Sequence, residues 1–419
     1  MTEFTPQPSC ADDQEPQSLS VSEAKQHISN LVLPLTAWEK RNLRDALGRI
    51  LHQPVISPIN VPPHNNSAMD GYAIHSADIT ADSFTVQQVG TAFAGQPFNG
   101  KIQRGECIRI MTGAMMSADC DTVIMQEQVE IDGDTITIHG QHQAGQNVRL
   151  AGEDLKTGEA VLAEGHKITA ADLGLIASLG IGEITVKRRL RVAFFSTGDE
   201  LRSIGETLKE GQIYDSNRYT LYGMLKRLDV DMLDMGVVPD QKQTLREALQ
   251  LASQQADVVI TSGGVSVGDA DYVKEILAEL GHVDFWKIAM KPGRPLAFGK
   301  INNALFFGLP GNPVSVMVTF YQFVSTALQQ LAGEAIQPNL VMDVPCVTKK
   351  KTRPGRFEFQ RGILFNNDQG QLQVKTTGEQ GSGILRSMSE ANCFILLDED
   401  CDGITPDTMV TVQPFSGLI

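Results

Sequence analysis

The chain has 419 residues, 42% hydrophobic and 20% charged, the profile of an ordinary soluble globular protein with two to four domains. Its net charge of −15 argues against binding nucleic acid or anionic membranes, because either needs a basic face. No apolar run reaches the ~20 residues that cross a bilayer, the N-terminus lacks the basic and apolar regions of a signal peptide, and the 6 cysteines are scattered with no CxxC pair. The expectation is a cytoplasmic protein with reduced thiols and neither zinc nor redox motifs.

In chain order, residues 1–18 are polar and proline-bearing and read as a loose tail. Two capping-box patterns, Ser20 with Glu23 and Thr36 with Glu39, announce short helices, the second carrying Leu43, Leu47 and Ile50 at helical spacing. Pro54, Pro58, Pro62 and Pro63 then forbid further helix. Short β segments follow, at Phe84–Val89, Cys107–Met111, Thr122–Gln126 and Thr135–Ile138, with a hairpin signal at Asp132-Gly133-Asp134. This stretch, residues 61–149, reads as an inserted β domain within a discontinuous helical and mixed linking domain of residues 19–60 and 150–188. The second half of the linking domain holds a short strand about Val161 and a helix from Ala170 to Leu179 stopped by Gly180.

Residues 189–335 alternate strand and helix. Strands are expected at Val192–Phe195, Met232–Val237, Val258–Ile260 and Ala304–Phe307, and helices at 217–228, 242–256, 271–280 and 313–331. That order implies βαβ units, a largely parallel sheet and ligand sites at the carboxyl ends of its strands. Residues 336–419 return to short strands, for which a closed or nearly closed barrel is the natural solution. The fold class expected is multidomain α/β plus β: a central α/β domain, an inserted β domain, a mixed linking domain and a C-terminal β-barrel-like domain.

Several polar clusters sit at the expected strand ends. Asp257–Tyr272 runs from an apolar strand into Ser262, Gly263 and Gly264, then to Asp269 and Asp271 at a helix start. Backbone N–H groups and a helix dipole suit a phosphate there, and the paired carboxylates suggest a bridging divalent cation. Ser196–Glu200, with Asp199 and Glu200, Asp240, and Gly308–Pro313, with Pro310 and Pro313, end the other strands, so all would converge along one sheet edge. Lys287, Lys291 and Arg294 add cations, with Lys287 and Lys291 on one face if their stretch is extended. Asp70 in an Asn/Gly loop, Arg109 and Thr112, Glu153 and Asp154, and Ser382 in a Gly-rich loop are candidates on the residues alone. Arg356 and Arg361 are expected on one side of a strand with Glu358. There is no Ser/His/Asp constellation and only 8 histidines, so nucleophilic hydrolysis is disfavoured.

Nine stretches in order, NNSAMDGYA, IRIMTGA, GED, FSTGDEL, IYDSNRY, SGGVSVGDADY, KPGRP, GLPGNPVS and FQRG, resemble the molybdopterin molybdenumtransferase family, of the MoeA and gephyrin E-domain type. The α/β segment alone also looks like molybdopterin adenylyltransferases and CinA-like proteins; the NSAMDGYA insert and C-terminal β domain separate the chain from both. The resemblance implies an elongated four-part homodimer that inserts molybdate into adenylated molybdopterin and releases AMP, with Mg2+ as cofactor. It makes residues 189–335 the molybdopterin-binding domain and a molybdopterin adenylyltransferase a candidate partner. It places pterin phosphate and adenylate at Ser262, Gly263 and Gly264 and at the loop of Asp199 and Glu200. Asp199, Glu200, Asp240 and Asp271 match the acidic residues at the metal and adenylate. Lys287, Lys291, Pro310, Pro313, Arg361 and Ser382 match the molybdate and dithiolene pocket, while Asp70, Thr112 and Asp154 match residues contributed across the dimer. Alternatives are the adenylyltransferase itself and a non-catalytic pterin-binding scaffold.

Overall fold

The computed structural model describes residues 18–264 and 271–415, with the backbone alone at Asp271 and Tyr272. It divides into two units, residues 40–47 with 51–186, and a larger one made of residues up to 39, 48–50 and 187 onward. The tail expected at the N-terminus lies outside the described residues, except Ser18.

The larger unit is built on a six-stranded sheet in the order Asp231–Val238, Arg191–Thr197, Val258–Ser262, Ala304–Leu309, Pro295–Ile301, Gly281–Lys287. The first four strands are parallel, and Pro295–Ile301 runs against them, pairing antiparallel with both Ala304–Leu309 and Gly281–Lys287. Val258–Ser262 is buried along its whole length, as a strand covered on both faces must be. Alternate residues of Arg191–Thr197 explain the layering. Val192 and Phe194 pack with Leu221, Leu225, Phe320 and Phe323 on one side, and Ala193 and Phe195 with Leu245, Leu249, Ile276 and Leu277 on the other.

Sequence reading missed the antiparallel pair, because Pro292 and Pro295 mask where the second strand begins. Its hairpin into Ala304–Leu309 turns on Asn302, which takes a positive φ of 48°. The long helix expected over 313–331 is real but interrupted, with a π-helical turn at Phe320–Val324 between Pro313–Thr319 and Ser325–Leu331. The capping box at Ser20 and Glu23 forms, and Val21–Leu31 buries Ala24 and Ile28 in the first of these cores.

The C-terminal strands close as expected. Phe357–Asn366, Leu372–Thr376, Met342–Cys346, Thr408–Pro414 and Cys393–Leu397 pair in that order, and Cys393–Leu397 pairs back to Phe357–Asn366. Val344, Cys346, Val374, Ile395, Val410 and Val412 fill the barrel. Gly362 is needed in its wall, since a Cβ there would sit 2.8 Å from the Ile395 side chain and 2.9 Å from Cys393 Sγ.

In the smaller unit, six strands order as Thr122–Met125, Gly71–Ile74, Glu106–Ile110, Ser83–Ala92, Thr135–His139, Val129–Asp132. The expected hairpin is present, with Asp132 opposite Thr135 and Gly133 at φ 61°. The helix Ala170–Ser178 starts on a second capping box, Thr169 with Asp172, and covers a small core of Ala46, Leu51, Val55, Ile168, Ile176 and Val186. The helix expected from Thr36 does not form: Trp38–Asn42 is a strand and Leu43–Ala46 a single 3-10 turn. The Leu43 N–H bonds to the Gly182 carbonyl at 2.9 Å, so a long-range partner overrides a local pattern. Leu47, which that helix would have buried, is exposed. Among the described residues no helix is long and apolar enough to cross a membrane.

Candidate active site

Three parallel strands end side by side, with Ser196 opposite Ser262 and Ser262 opposite Leu309. The helix Ser216–Arg227 begins against these ends and ties them together. Its N-cap Asp215 accepts through Oδ1 from the Arg218 N–H and from the Ser196 hydroxyl, both at 3.1 Å. The Asn217 amide donates to Ser262 Oγ at 2.9 Å and to the Gly311 carbonyl at 2.7 Å. Ser262 Oγ donates weakly to the Pro310 carbonyl, at 3.4 Å.

The turn that leaves this edge needs glycine. Gly263 and Gly264 have φ of 92° and 71°, and a Cβ on Gly263 would lie 2.4 Å from the Thr197 carbonyl oxygen. The Gly263 N–H is committed to the Leu309 carbonyl at 3.1 Å, and Ser262 is buried beneath the turn. Of the three residues expected to cradle phosphate, Ser262 is therefore covered, while Gly263 and Gly264 are half-buried.

The acidic cluster is partly assembled. Thr197 Oγ1 donates to Asp240 Oδ1 at 3.5 Å, and the Asp240 N–H donates to Asp199 Oδ1 at 3.3 Å. Asp199 and Glu200 are exposed and Asp240 half-buried. These are hard oxygen donors of the kind Mg2+ takes. Among the described residues no three His, Cys, Asp or Glu side chains gather closely enough to hold an ion. The side chain of Asp271, the remaining expected ligand, lies outside the described residues, as does Asp269.

A second group forms where the barrel meets the last α/β helix. Pro313 is the first residue of Pro313–Thr319, where its missing N–H is no loss. The next N–H, from Val314, donates to the Ser382 carbonyl at 3.1 Å. Arg361 lies behind the same loop: Nη2 donates to the Gly381 carbonyl at 3.2 Å, Nε to Ser387 Oγ at 3.1 Å, and its backbone N–H to Gln380 Oε1 at 2.8 Å. Arg361 is 1% exposed, and burial lowers its pKa to about 10 against the opposing pull of Glu358, so it stays charged at neutral pH. No carboxylate of the described residues pairs with it.

Two expectations about the cations change. Lys287 and Lys291 do not share a strand: Lys287 ends the sheet strand Gly281–Lys287, while Lys291 pairs alongside Phe357–Asn366. The Met290 N–H bonds to the Ile288 carbonyl at 2.8 Å, so the chain turns between the two lysines. Arg361 is not on the Glu358 side of its strand, because an odd spacing places the two on opposite faces. Glu358 instead accepts from Lys291 Nζ at 2.9 Å and from the Gln360 amide. Gly293 holds the KPGRP turn on the helix, its Cβ position lying 2.7 Å from Thr319 Oγ1.

In the smaller unit the candidate loops assemble with one another. Ser67 and Asn66 pair with Val148 and Arg149, and the Ala151 N–H bonds to Asn65 Oδ1 at 2.8 Å. Asp70 Oδ1 accepts from both the backbone N–H and the hydroxyl of Thr112 at 2.7 Å. Those bonds hold its carboxyl below the usual range, with Arg109 adding to the effect. Thr112 and Asp154 are exposed.

Three family models match consecutive parts of the chain: "MoeA N-terminal region (domain I and II)" over 19–180, "Probable molybdopterin binding domain" over 193–330, and "MoeA C-terminal region (domain IV)" over 344–415. A molybdopterin molybdenumtransferase of Haemophilus influenzae is 46% identical over 387 residues, covering 92% of this chain and 95% of its own. The chain belongs to the molybdopterin molybdenumtransferase family. Gephyrin of Dictyostelium discoideum is 34% identical across 89% of this chain, but only 58% of its own length is matched. The crystal structure of a molybdopterin biosynthesis moeA protein from Pyrococcus horikoshii superposes with a TM-score of 0.84 at 28% identity, covering 95% of this chain and 100% of that one.

Within this family member, sequence reasoning found the loops and missed what holds them. Asp215 and Asn217 lie in IYDSNRY, yet nothing local says that one amide reaches residues 45 and 94 positions away. Gln380, which fixes the backbone of Arg361, lies in the Gly-rich loop in which sequence reasoning singled out Ser382 alone.

Proposed function

We propose that this enzyme of molybdenum cofactor biosynthesis inserts molybdate into adenylated molybdopterin and releases AMP, acting in the cytoplasm as a homodimer. The observation that carries the reading is Arg361, a buried guanidinium that no carboxylate pairs with among the described residues, beside a helix that begins at Pro313. A desolvated cation of this kind suits a tetrahedral oxyanion, and its strength grows as water is excluded. Lys287 and Lys291 add charge for the same substrate, Lys291 through a side chain that is 53% exposed and can leave Glu358.

At the sheet edge, the turn at Gly263 and Gly264 and the loop at Pro310 receive the phosphates of the adenylated pterin. Asp199, Glu200, Asp240 and Asp271 would hold Mg2+, which supplies charge neutralisation at the pyrophosphate. Asp70, Thr112 and Asp154 belong to the same proposal as residues serving a partner's pocket, with a molybdopterin adenylyltransferase supplying the substrate. Adenylated molybdopterin and Mg2+ should yield AMP in proportion to added molybdate. AMP release indifferent to molybdate would overturn the reading, and adenylate made from molybdopterin and ATP would restore the adenylyltransferase alternative.

A further inference from the structure

We infer that Asn217 is a positioning residue that sets the width of the phosphate crevice, an inference that rests on the function proposed above. The crevice lies between two adjacent strand ends, the turn at Ser262–Gly264 and the loop at Pro310–Asn312. Backbone pairing along these strands finishes with the Gly263 N–H on the Leu309 carbonyl. Beyond that point the sheet ladder no longer fixes their separation.

Asn217 takes over there. One amide nitrogen donates both its protons across the gap, to Ser262 Oγ on one wall and to the Gly311 carbonyl on the other. Both bonds are short, the side chain is 9% exposed, and it springs from the second residue of a helix whose own start is fixed by Asp215 on Ser196. An amide is the side chain for this task, because both targets accept and a single –NH2 carries two donors in a fixed plane. Its own Oδ1 is buried and accepts nothing among the described residues, so this amide is not placed there merely to satisfy itself. A carboxylate would face the Gly311 carbonyl oxygen with no donor and would put negative charge beside the phosphate.

Ser262, buried under the turn, is the relay. Asn217 holds its oxygen at 2.9 Å, and Ser262 is joined through the chain directly to Gly263. The residue therefore touches no substrate and acts through the turn.

The test measures AMP binding by calorimetry to the full chain with Mg2+, for the wild type, Asn217→Ala, Ser262→Ala and the double variant, alongside thermal unfolding. Asn217→Ala should weaken AMP about tenfold, and the double variant should be no weaker than Asn217→Ala, because both changes cut one relay. Asn217→Asp keeps the shape and should lose at least as much, which serves if the alanine variant fails to fold. Turnover should show the loss mainly in KM for adenylated molybdopterin, with the molybdate dependence unmoved. Folded variants that bind AMP within twofold of the wild type, or effects that multiply in the double variant, overturn the inference while leaving the function intact. A wild type that binds no AMP overturns the function and the inference with it.

Discussion

Gly263→Ala tests the tightest point of the site. Two separate terms follow from its geometry. The residue has φ 92°, a region in which an L side chain is disfavoured by about 1–2 kcal/mol. The new Cβ would also meet the Thr197 carbonyl oxygen at 2.4 Å, and that oxygen belongs to a neighbouring strand rather than to a flexible side chain. Relieving an overpacked contact of this kind takes a further ~1–3 kcal/mol. Together the change should amount to about 2–5 kcal/mol, a large part of the ~5–15 kcal/mol that holds a domain folded. Because the turn lies at a strand end, the chain can discharge the strain by moving the turn instead of unfolding. The expected result is therefore a modest fall in melting temperature with a loss of AMP affinity of at least tenfold. Calorimetric titration of AMP and scanning calorimetry on the same preparation read both. Wild-type values in both measurements would show that the turn does not need glycine, and would refute the account of the crevice wall.

The same reasoning extends to two other sites. Arg361→Met replaces a buried charge by an apolar side chain of similar length, and should change stability by no more than about 2 kcal/mol while abolishing molybdate dependence; an unaltered molybdate titration would remove Arg361 from the oxyanion site. In the smaller unit, burial pushes the Asp172 carboxyl up, but hydrogen bonds from His166 at 2.8 Å and from Thr169 outweigh it and leave the pKa lowered. A carboxyl depressed on folding stabilises above its unfolded value of about 3.9 and loses that contribution as pH falls through the folded value. Asp172→Asn should therefore melt below the wild type at neutral pH, by about 1 kcal/mol as for a lost helix cap, and the gap should close below about pH 4. A gap that is constant with pH would place the effect elsewhere than in this carboxylate.

The sequence by itself determined what depends on period and on local turn chemistry. Val258–Ile260 is an apolar run that passes through Thr261 and Ser262 into two glycines, so both the buried strand and the turn after it could be read directly. The capping boxes at Ser20 and Thr169 have their partners three residues away, and the one at Ser20 was legible for that reason. The pattern at Thr36 was equally local and misled, because Leu43 is claimed by Gly182, far away in the chain. That the sheet is largely parallel followed from alternation of strand and helix, whereas the antiparallel edge was obscured by prolines.

Only the tertiary structure decided how the loops become a site. Asn217 spanning two strand ends, Ser382 meeting the helix at Pro313, and Lys291 turning to Glu358 all join residues far apart in sequence. Their side-chain directions depend on register and on where the chain turns. Spacing alone placed Lys287 with Lys291 and Arg361 with Glu358. The structure separates both pairs, since two lysines belong to different sheets and residues an odd number apart face opposite ways. Residue types fix which chemistry is possible; hydrogen bonds between distant segments fix which of those groups can act together.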